Sequence, residues 1–345
     1  MVTEPLSRNT LRRMQELVRT FGKQQILVIG DMVLDQFVYG VSSRISREAP
    51  VLILRHARTE NAPGGAGNAA ANLHALGARV LPVGVLGNDG NGQSLRQILE
   101  ERGIGCQGLF DVPGARTTTK SRIMGGLPHS PAQQIVRLDH EFDAEAAQAR
   151  EPEIRQYLSQ HLPDCSGVVI SDYGYGAVSR AVRDLVIRTA SRNKIPVVVD
   201  SRFRLPWFRG VTALTPNITE VEEACHCRLD NQLDELRKKA AEIMARQKLQ
   251  ALLVTRGKYG MILYEASGAE WNIPVFGTDQ VADVTGAGDT VIAAFSLGLA
   301  AGADFIDAAR LSNLAGGIVV MKKGTATASR EEIRTALLSL PTAKE

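Results

Sequence analysis

Several things are scarce in this chain of 345 residues. Cysteine occurs only at Cys106, Cys165, Cys225 and Cys227, without the paired spacing of a disulfide framework. Cys225-His226-Cys227 invites a metal reading, but structural zinc wants a second ligand pair elsewhere and the sequence offers none; these read as ordinary side chains on a helix. Net charge is nearly absent: 40 basic against 37 acidic residues leave +3, which argues against nucleic acid as the main partner. No apolar run is long enough to span a bilayer, since the longest, near 291–303, is short and glycine-rich, so no membrane partner is expected. The opening "MVTEPLSRNTLRRMQELVRTF" is amphipathic rather than charged-then-apolar, so a reducing cytoplasm is expected rather than export.

Two nucleotide signatures are missing as well. Without a G-x-x-x-x-G-K-[ST] there is no Walker-A loop. The first strand runs into "VIGDMVLD", with one glycine where a Rossmann dinucleotide site needs three.

What is present is an ordinary globular composition, 44% apolar and 22% charged, and a repeated alternation of strand and helix patterns. Strands are read at 24–31, 51–59, 79–87, 166–174, 195–201, 212–217, 251–257 and 261–266. Helices are read at the opening, 66–76, 92–103, 179–193, two after Asn217, and 286–302, 304–321 and 329–340. Near-continuous Val/Ile/Leu strands alternating with helices predict an α/β fold, a doubly wound and mostly parallel sheet with helices on both faces. The segments 36–60 and 115–140 alternate more and carry more charge. They are expected to form a small, half-exposed sheet that projects as a lid from a single domain spanning 1–345.

The chemistry-bearing stretch is "DVTGAGDTVIAAF", residues 283–295. Gly286, Ala287 and Gly288 can turn several backbone N–H groups toward one point, and the positive end of the following helix adds to them. Such a nest suits the charge on a transferring phosphoryl group. Asp289 at its rim can take the proton of an attacking hydroxyl, the one part of phosphoryl transfer that positioning and charge neutralisation leave over. The alternative is that Asp289 caps its helix, a role aspartate fills well.

Four motifs together carry a resemblance to the ribokinase, or PfkB, family of sugar kinases: "NAPGGAGNAAANLHALG" (61–77), "TPNITEVEE" (215–223), "VTRGKYGMIL" (254–263) and "DVTGAGDTVIAAF". Within that family "GDMVLDQFVYG" (30–40), "SRISREAPVLI" (43–53), "APGGAGNAAANL" (62–73) and "TKSRIM" (119–124) resemble the heptose-7-phosphate kinases of lipopolysaccharide synthesis, which phosphorylate the anomeric hydroxyl. Some relatives there carry a fused nucleotidyltransferase domain, and this chain resembles the stand-alone kinase.

The resemblance implies roles residue by residue. Asp289 is the expected base and Gly286, Ala287 and Gly288 the anion hole. Asp283 and Thr285 are expected ligands of a monovalent cation, K+, with hard oxygen donors to suit it. Asn217 and Glu220 match N-x-x-E, implying Mg2+ and the ATP phosphates, with Glu220 acting through water. The same pair also reads as a capping box, and the two roles are compatible. Thr255, Arg256 and Gly257 would line the nucleotide site, and Asn313 would flank the base. Gly64, Gly65 and Asn68 resemble the sugar-contacting motif, with Asp31, Asp35 and Asp172 as acceptors for sugar hydroxyls. Val33 stands where ribokinases tend to carry Asn, which argues against ribose. A substrate already bearing phosphate needs cations, and Arg44, Arg47, Lys120, Arg122 and Arg202 are the candidates. The family often dimerises through its lid sheets, so a homodimer is expected.

Overall fold

The computed structural model describes residues 6–126, 132–229, 232–277 and 282–342, with only the backbone of residues 43–45. The strands are β1 Gln25–Gly30, β2 Met32–Ile45, β3 Leu52–Gly65, β4 Arg79–Gly87, β5 Gly108–Val112, β6 Thr119–Gly126, β7 Gln133–His140, β8 Gly167–Asp172, β9 Val197–Ser201, β10 Ala213–Leu214, β11 Ala251–Thr255, β12 Met261–Glu265 and β13 Glu270–Ile273. The helices are α1 Arg8–Thr20, α2 Ala66–Ala75, α3 Gly90–Glu101, α4 Ala144–Ala147, α5 Glu151–His161, α6 Arg180–Asn193, α7 Ile218–Cys225, α8 Leu233–Gln247, α9 Ala287–Ala300, α10 Phe305–Val320 and α11 Arg330–Ser339.

Strand periodicity sorts the core. In β1, Ile26 and Val28 face one hydrophobic cluster while Leu27 and Ile29 face the other, because successive side chains point to opposite faces. The first cluster takes apolar residues from α1, α2, α3, α9, α10 and α11, and the second from α5, α6 and α8. Both faces are therefore covered, which is why the strands carry almost no polar residues.

The main sheet runs β13-β12-β11-β10-β9-β8-β1-β4-β5. It is parallel except for the antiparallel β11–β12 and β12–β13 pairs. From β1 the chain builds outward through β4 and β5, and from β8 it builds the other way. The order thus reverses between β1 and β8, and a crevice opens beyond the strands' carboxyl ends at such a point. Asp31 follows β1 there and Asp172 ends β8.

The segments read as a lid belong to a second sheet of order β3-β2-β6-β7. It begins earlier than expected: β2 starts at Met32, one residue after β1, and β3 runs on through the Gly64–Gly65 motif. Four further elements escape the sequence pattern. β5 and β13 are short edge strands, α4 is a single turn, and α5 buries only Ile154 and Leu158. None offers a sustained apolar period to read. Among the described residues no helix is long and apolar enough to cross a membrane.

Candidate active site

The crevice is a cleft of about 320 Å³ walled by Asp172, Tyr173, Asp200, Thr215, Asn217, Glu220, Thr255, Gly286, Gly288 and Asp289. Three helices start at or beside it, and two of them, α2 and α9, have glycine rather than a capping side chain before their first turn. Gly65 precedes α2 with φ 55°, and Gly286 precedes α9 with φ 77°. Side chains bigger than hydrogen rarely adopt that backbone. By contrast Ser7, Asp89, Ser179, Asn217, Asp304 and Ser329 cap their helices with oxygen atoms. At α9 the N–H groups of Gly288 and Asp289 have no acceptor among the described residues, and Gly288 is exposed with open space around it. This uncapped helix start fits an anionic phosphoryl group.

Asp289 is the third residue of α9 and is 6% exposed. Its carboxylate takes its hydrogen bonds from other elements, which sets aside the helix-cap alternative. Asn68 Nδ2 on α2 donates to Oδ2 at 2.8 Å, and the Tyr173 hydroxyl donates to Oδ1 at 3.4 Å. Burial pushes the Asp289 carboxyl up to about 7, against the opposing pull of the Asn68 bond, while the charges of Asp200 and Asp35 add to the rise. Desolvation wins here, so the group sits near the value a general base needs at neutral pH. The Tyr173 phenol is held well above its ordinary value, chiefly by the Asp289 charge, and so stays a donor. Tyr173 is a site residue the sequence reading missed; its place directly after Asp172 at the end of a core strand was the available signal.

The three other aspartates already have protein partners. Asp31 is 2% exposed. It accepts the N–H groups of Tyr173 (2.7 Å), Tyr175 (3.1 Å) and Ala177 (3.2 Å). Its contacts clasp that loop, and it is pushed up to about 6 by burial and then by Asp172. Asp172 accepts from Ser201 and pairs with Arg204. Asp35, 6% exposed, pairs with Arg122 at 2.6 Å. Only Asp172 of these three walls the cleft. Gly64 and Gly65 lie on β3 opposite Val33 and Met32, where Gly64 backs onto the Asp35 carboxylate.

The candidate cations separate. β2 and β6 pair in parallel with Asp35 opposite Lys120 and Phe37 opposite Arg122, at the base of the lid. Arg44 and Arg47 belong to its tip, where Ile45 meets Leu52. Arg44 is ten residues beyond Leu34, roughly 30 Å of strand, and its side chain lies outside the described residues; Arg47 is exposed in the turn. The structure therefore does not bring these two to the cleft. Arg122 is committed to Asp35. Among the described residues, Lys120 and Arg202 make no ion pair. The Lys120 ammonium stands 4.6 Å from the Tyr173 ring centre, and Arg202 leans over Phe203 at the cleft. Burial lowers the Lys120 pKa; Asp35 opposes this, and Arg202 and Arg137 press the same way as burial.

On the other wall, Asn217 and Glu220 form the capping box at 3.0 and 2.9 Å while also facing the cleft. Burial raises Glu220 to about 7, and burial and then the Glu220 charge hold Asp200 above the ordinary carboxylate range. Two neighbouring carboxyls that burial and mutual repulsion raise, with the Arg202 charge opposing, form an oxygen donor set that fits hydrated Mg2+. Thr255 walls the cleft. Arg256 and Gly257 lie just past it, Arg256 over Tyr259. Asn313 is elsewhere: it donates to the Pro274 carbonyl at 2.9 Å beside an apolar depression lined by Leu6, Met14 and Phe276. Asp283 accepts from the N–H groups of Thr285 (2.9 Å) and Gly324 (3.2 Å), tying two loops together. Burial pushes its carboxyl up, but those bonds and the Arg122 charge more than offset it. An ionised oxygen donor beside Thr285 fits a monovalent cation.

Comparison with known proteins adds to this geometry. Residues 23–332 match the family described as pfkB family carbohydrate kinase. The chain is 43% identical over 308 residues to the bifunctional protein HldE of Citrifermentans bemidjiense, covering 89% of this chain and 62% of that protein. It is 40% identical over 324 residues to bifunctional protein HldE of Coxiella burnetii, covering 93% and 65%. It thus spans under two thirds of the length of these relatives. The fold is shared with Arabidopsis thaliana ribokinase complexed with ribose and ATP (TM-score 0.70, 18% identity, 91% and 98% covered). It is shared also with Escherichia coli phosphofructokinase-2 in complex with substrates and products (TM-score 0.70, 21% identity, 92% and 99% covered).

Proposed function

The chain belongs to the pfkB family of carbohydrate kinases, and on that premise we propose that it transfers the γ-phosphoryl group of ATP to the anomeric hydroxyl of D-glycero-β-D-manno-heptose 7-phosphate. Phosphotransfer to a sugar hydroxyl follows from membership of the family; the sugar, the ions and the residue roles are the proposal. The observation that carries it is Asp289, a nearly buried carboxylate held near pH 7 beside the uncapped start of α9.

In this reading Asp289 Oδ1 accepts the proton of the anomeric hydroxyl, displacing the long contact from Tyr173. The free N–H groups of Gly288 and Asp289 face the charge on the phosphoryl group in transfer, with the helix dipole behind them. Asn217, Glu220 and Asp200 would hold Mg2+ through water, and Asp283 and Thr285 a K+ ion. When bound, these ions neutralise phosphate charge. The lid excludes water, so that ATP is not lost to hydrolysis. The heptose 7-phosphate assignment rests on the motifs 30–40, 43–53, 62–73 and 119–124, on the HldE relatives, and on Lys120 and Arg202. Two cations that make no ion pair among the described residues, Lys120 beside Tyr173 and Arg202 at the cleft, suit a phosphate already on the substrate. We further propose that two copies pair through the lid, with heptose product feeding lipopolysaccharide core synthesis.

ADP release tests the reading. Asp289→Asn should lower kcat by roughly two to four orders of magnitude while ATP binding, followed by calorimetry, persists. Undiminished turnover would remove Asp289 as the base. With the unaltered protein, heptose 7-phosphate should exceed fructose phosphates, ribose and adenosine in kcat/KM. Parity with a fructose phosphate would reject the heptose assignment and leave the kinase intact.

A further inference from the structure

Behind Asp289 lies a buried chain of side-chain amides and a hydroxyl, of which the motif readings assign a role to Asn68 alone. Asn68, Asn72 and Thr290 are each 0% exposed. The Thr290 hydroxyl donates to Asn72 Oδ1 at 2.9 Å. Asn72 Nδ2 donates to Asn68 Oδ1 at 3.1 Å and to the Asn68 carbonyl at 3.0 Å. Asn68 Nδ2 donates to Asp289 Oδ2 at 2.8 Å and reaches the Gly286 carbonyl at 3.4 Å.

The polarity of this chain is forced. A backbone carbonyl can only accept, so the Asn68 carbonyl requires the NH₂ end of Asn72. That end then meets Asn68 Oδ1, which turns the Asn68 NH₂ toward Asp289. The remaining end of Asn72 is an acceptor that needs a donor, and Thr290 is the donor present. An amide turned the other way would set oxygen against the carboxylate and NH₂ against NH₂, losing both bonds where no water replaces them. We propose that Asn72 and Thr290 are positioning residues: they fix the direction of the Asn68 amide and through it aim and hold the Asp289 carboxylate. Thr290 also reaches the Gly286 carbonyl at 3.2 Å, so the same relay ties the base to the residue that opens the anion hole.

The inference rests on the reading of Asp289 as proton acceptor. The titratable groups around Asp289 are Tyr173 after β8, Asp200 on β9, Asp35 on β2 and Lys120 on β6. None is altered by the variants below. The Asn68 bond favours the ionised carboxylate, so loosening it raises the pKa and moves the acid limb of kcat to higher pH.

Thr290→Val keeps the volume and removes the donor. Its acid limb should rise by about half to one pH unit, so that below the limb the rate falls roughly three- to tenfold, with KM for ATP unchanged. Thr290→Ser should restore the original limb, and Asn72→Ala, a second probe should the valine variant fold poorly, should behave as Thr290→Val. On an Asn68→Ala background Thr290→Val should shift nothing further. A readout free of turnover is the carboxyl carbon resonance of Asp289 in aspartate-labelled protein, assigned by its loss in Asp289→Asn; its titration should move with the limb. If Asp289→Asn stays active, the base assignment fails and the carbon titration still reads the relay. An unmoved titration in both Thr290→Val and Asn72→Ala, or a full shift persisting on Asn68→Ala, overturns the proposal.

Discussion

The burial that raises the Asp289 carboxyl also costs stability once the group ionises. Its carboxyl rises from 3.8 to about 7 on folding, so the folded chain binds that proton more tightly than the unfolded one. The associated stability is fully present below about pH 4 and is lost as pH rises through 7. Above that the ionised group costs up to roughly 4 kcal/mol. Asparagine has the same shape, no charge, and can still accept from Asn68. Asp289→Asn should therefore melt several degrees above the unaltered protein at pH 8, with the gap closing toward pH 5 in paired thermal melts. Asp31 is raised as well, but it is common to both proteins and cancels in the difference. A gap independent of pH would show that burial is not what shifts Asp289. At this scale the sequence points to residues that the fold brings together and is weak on what each of them touches. Asp289 and Asn68 were both legible from their motifs, but the contact between them joins residues 221 positions apart. Asp31 and Asp35 were read as sugar acceptors from their place after a strand. Nothing in the sequence showed that one would clasp a loop and the other an arginine.

Among the elements, the start of α9 separates two glycines of one motif by what surrounds them. Gly286 has φ 77°, and a methyl there would collide with the Asn68 amide and lie 3.3 Å from Thr325 Cγ2. Gly288 has an ordinary helical backbone and open space where phosphate is expected. Gly286→Ala should thus lower the melting temperature and kcat together, through about 1–2 kcal/mol of left-handed strain and a displaced Asn68. Gly288→Ala should leave the melt unchanged and raise KM for ATP, because the added methyl intrudes only on the ligand. Equal losses of melting temperature in the two variants would remove the distinction. Elements of this kind were the most legible part of the fold. Core strands such as β1 and β8 have burial patterns with almost every position buried, and their sequences show it as unbroken apolar runs. The lid was legible as a region rather than by its ends, since β2 and β3 are 14 residues each and mostly lack the core contacts that imprint a pattern. Its register, which parts Arg44 and Arg47 from Lys120 and Arg122, depends on pairing that no local signal encodes.

For the molecule as a whole, the lid is the surface left unfinished. β3 and β7 are the outer strands of its sheet, and their N–H and C=O rows invite pairing with another chain. In β7 seven of eight residues are exposed, with no alternation between a covered and a bare face. The exposed positions include Ile135 (46%), Val136 (53%) and Leu138 (56%), joined at the far edge by Val51 (55%) and Leu52 (53%). A sheet with apolar side chains bare on both edges is the kind of surface that marks an interaction site. A second copy is the partner that brings the same surface, so that a self-complementary contact can close. Light scattering at tens of micromolar should give about twice 37.3 kDa. Val136 and Leu138 project from the same face of β7, so Val136→Lys with Leu138→Glu places two charges on one side without touching the cleft. That variant should run as a monomer with an unchanged far-ultraviolet spectrum. Its KM for the sugar phosphate should rise, because Lys120 stands on β6, the strand that β7 braces. A monomeric unaltered protein at that concentration would refute lid pairing; a dimer that survives both charges would move the contact to another face.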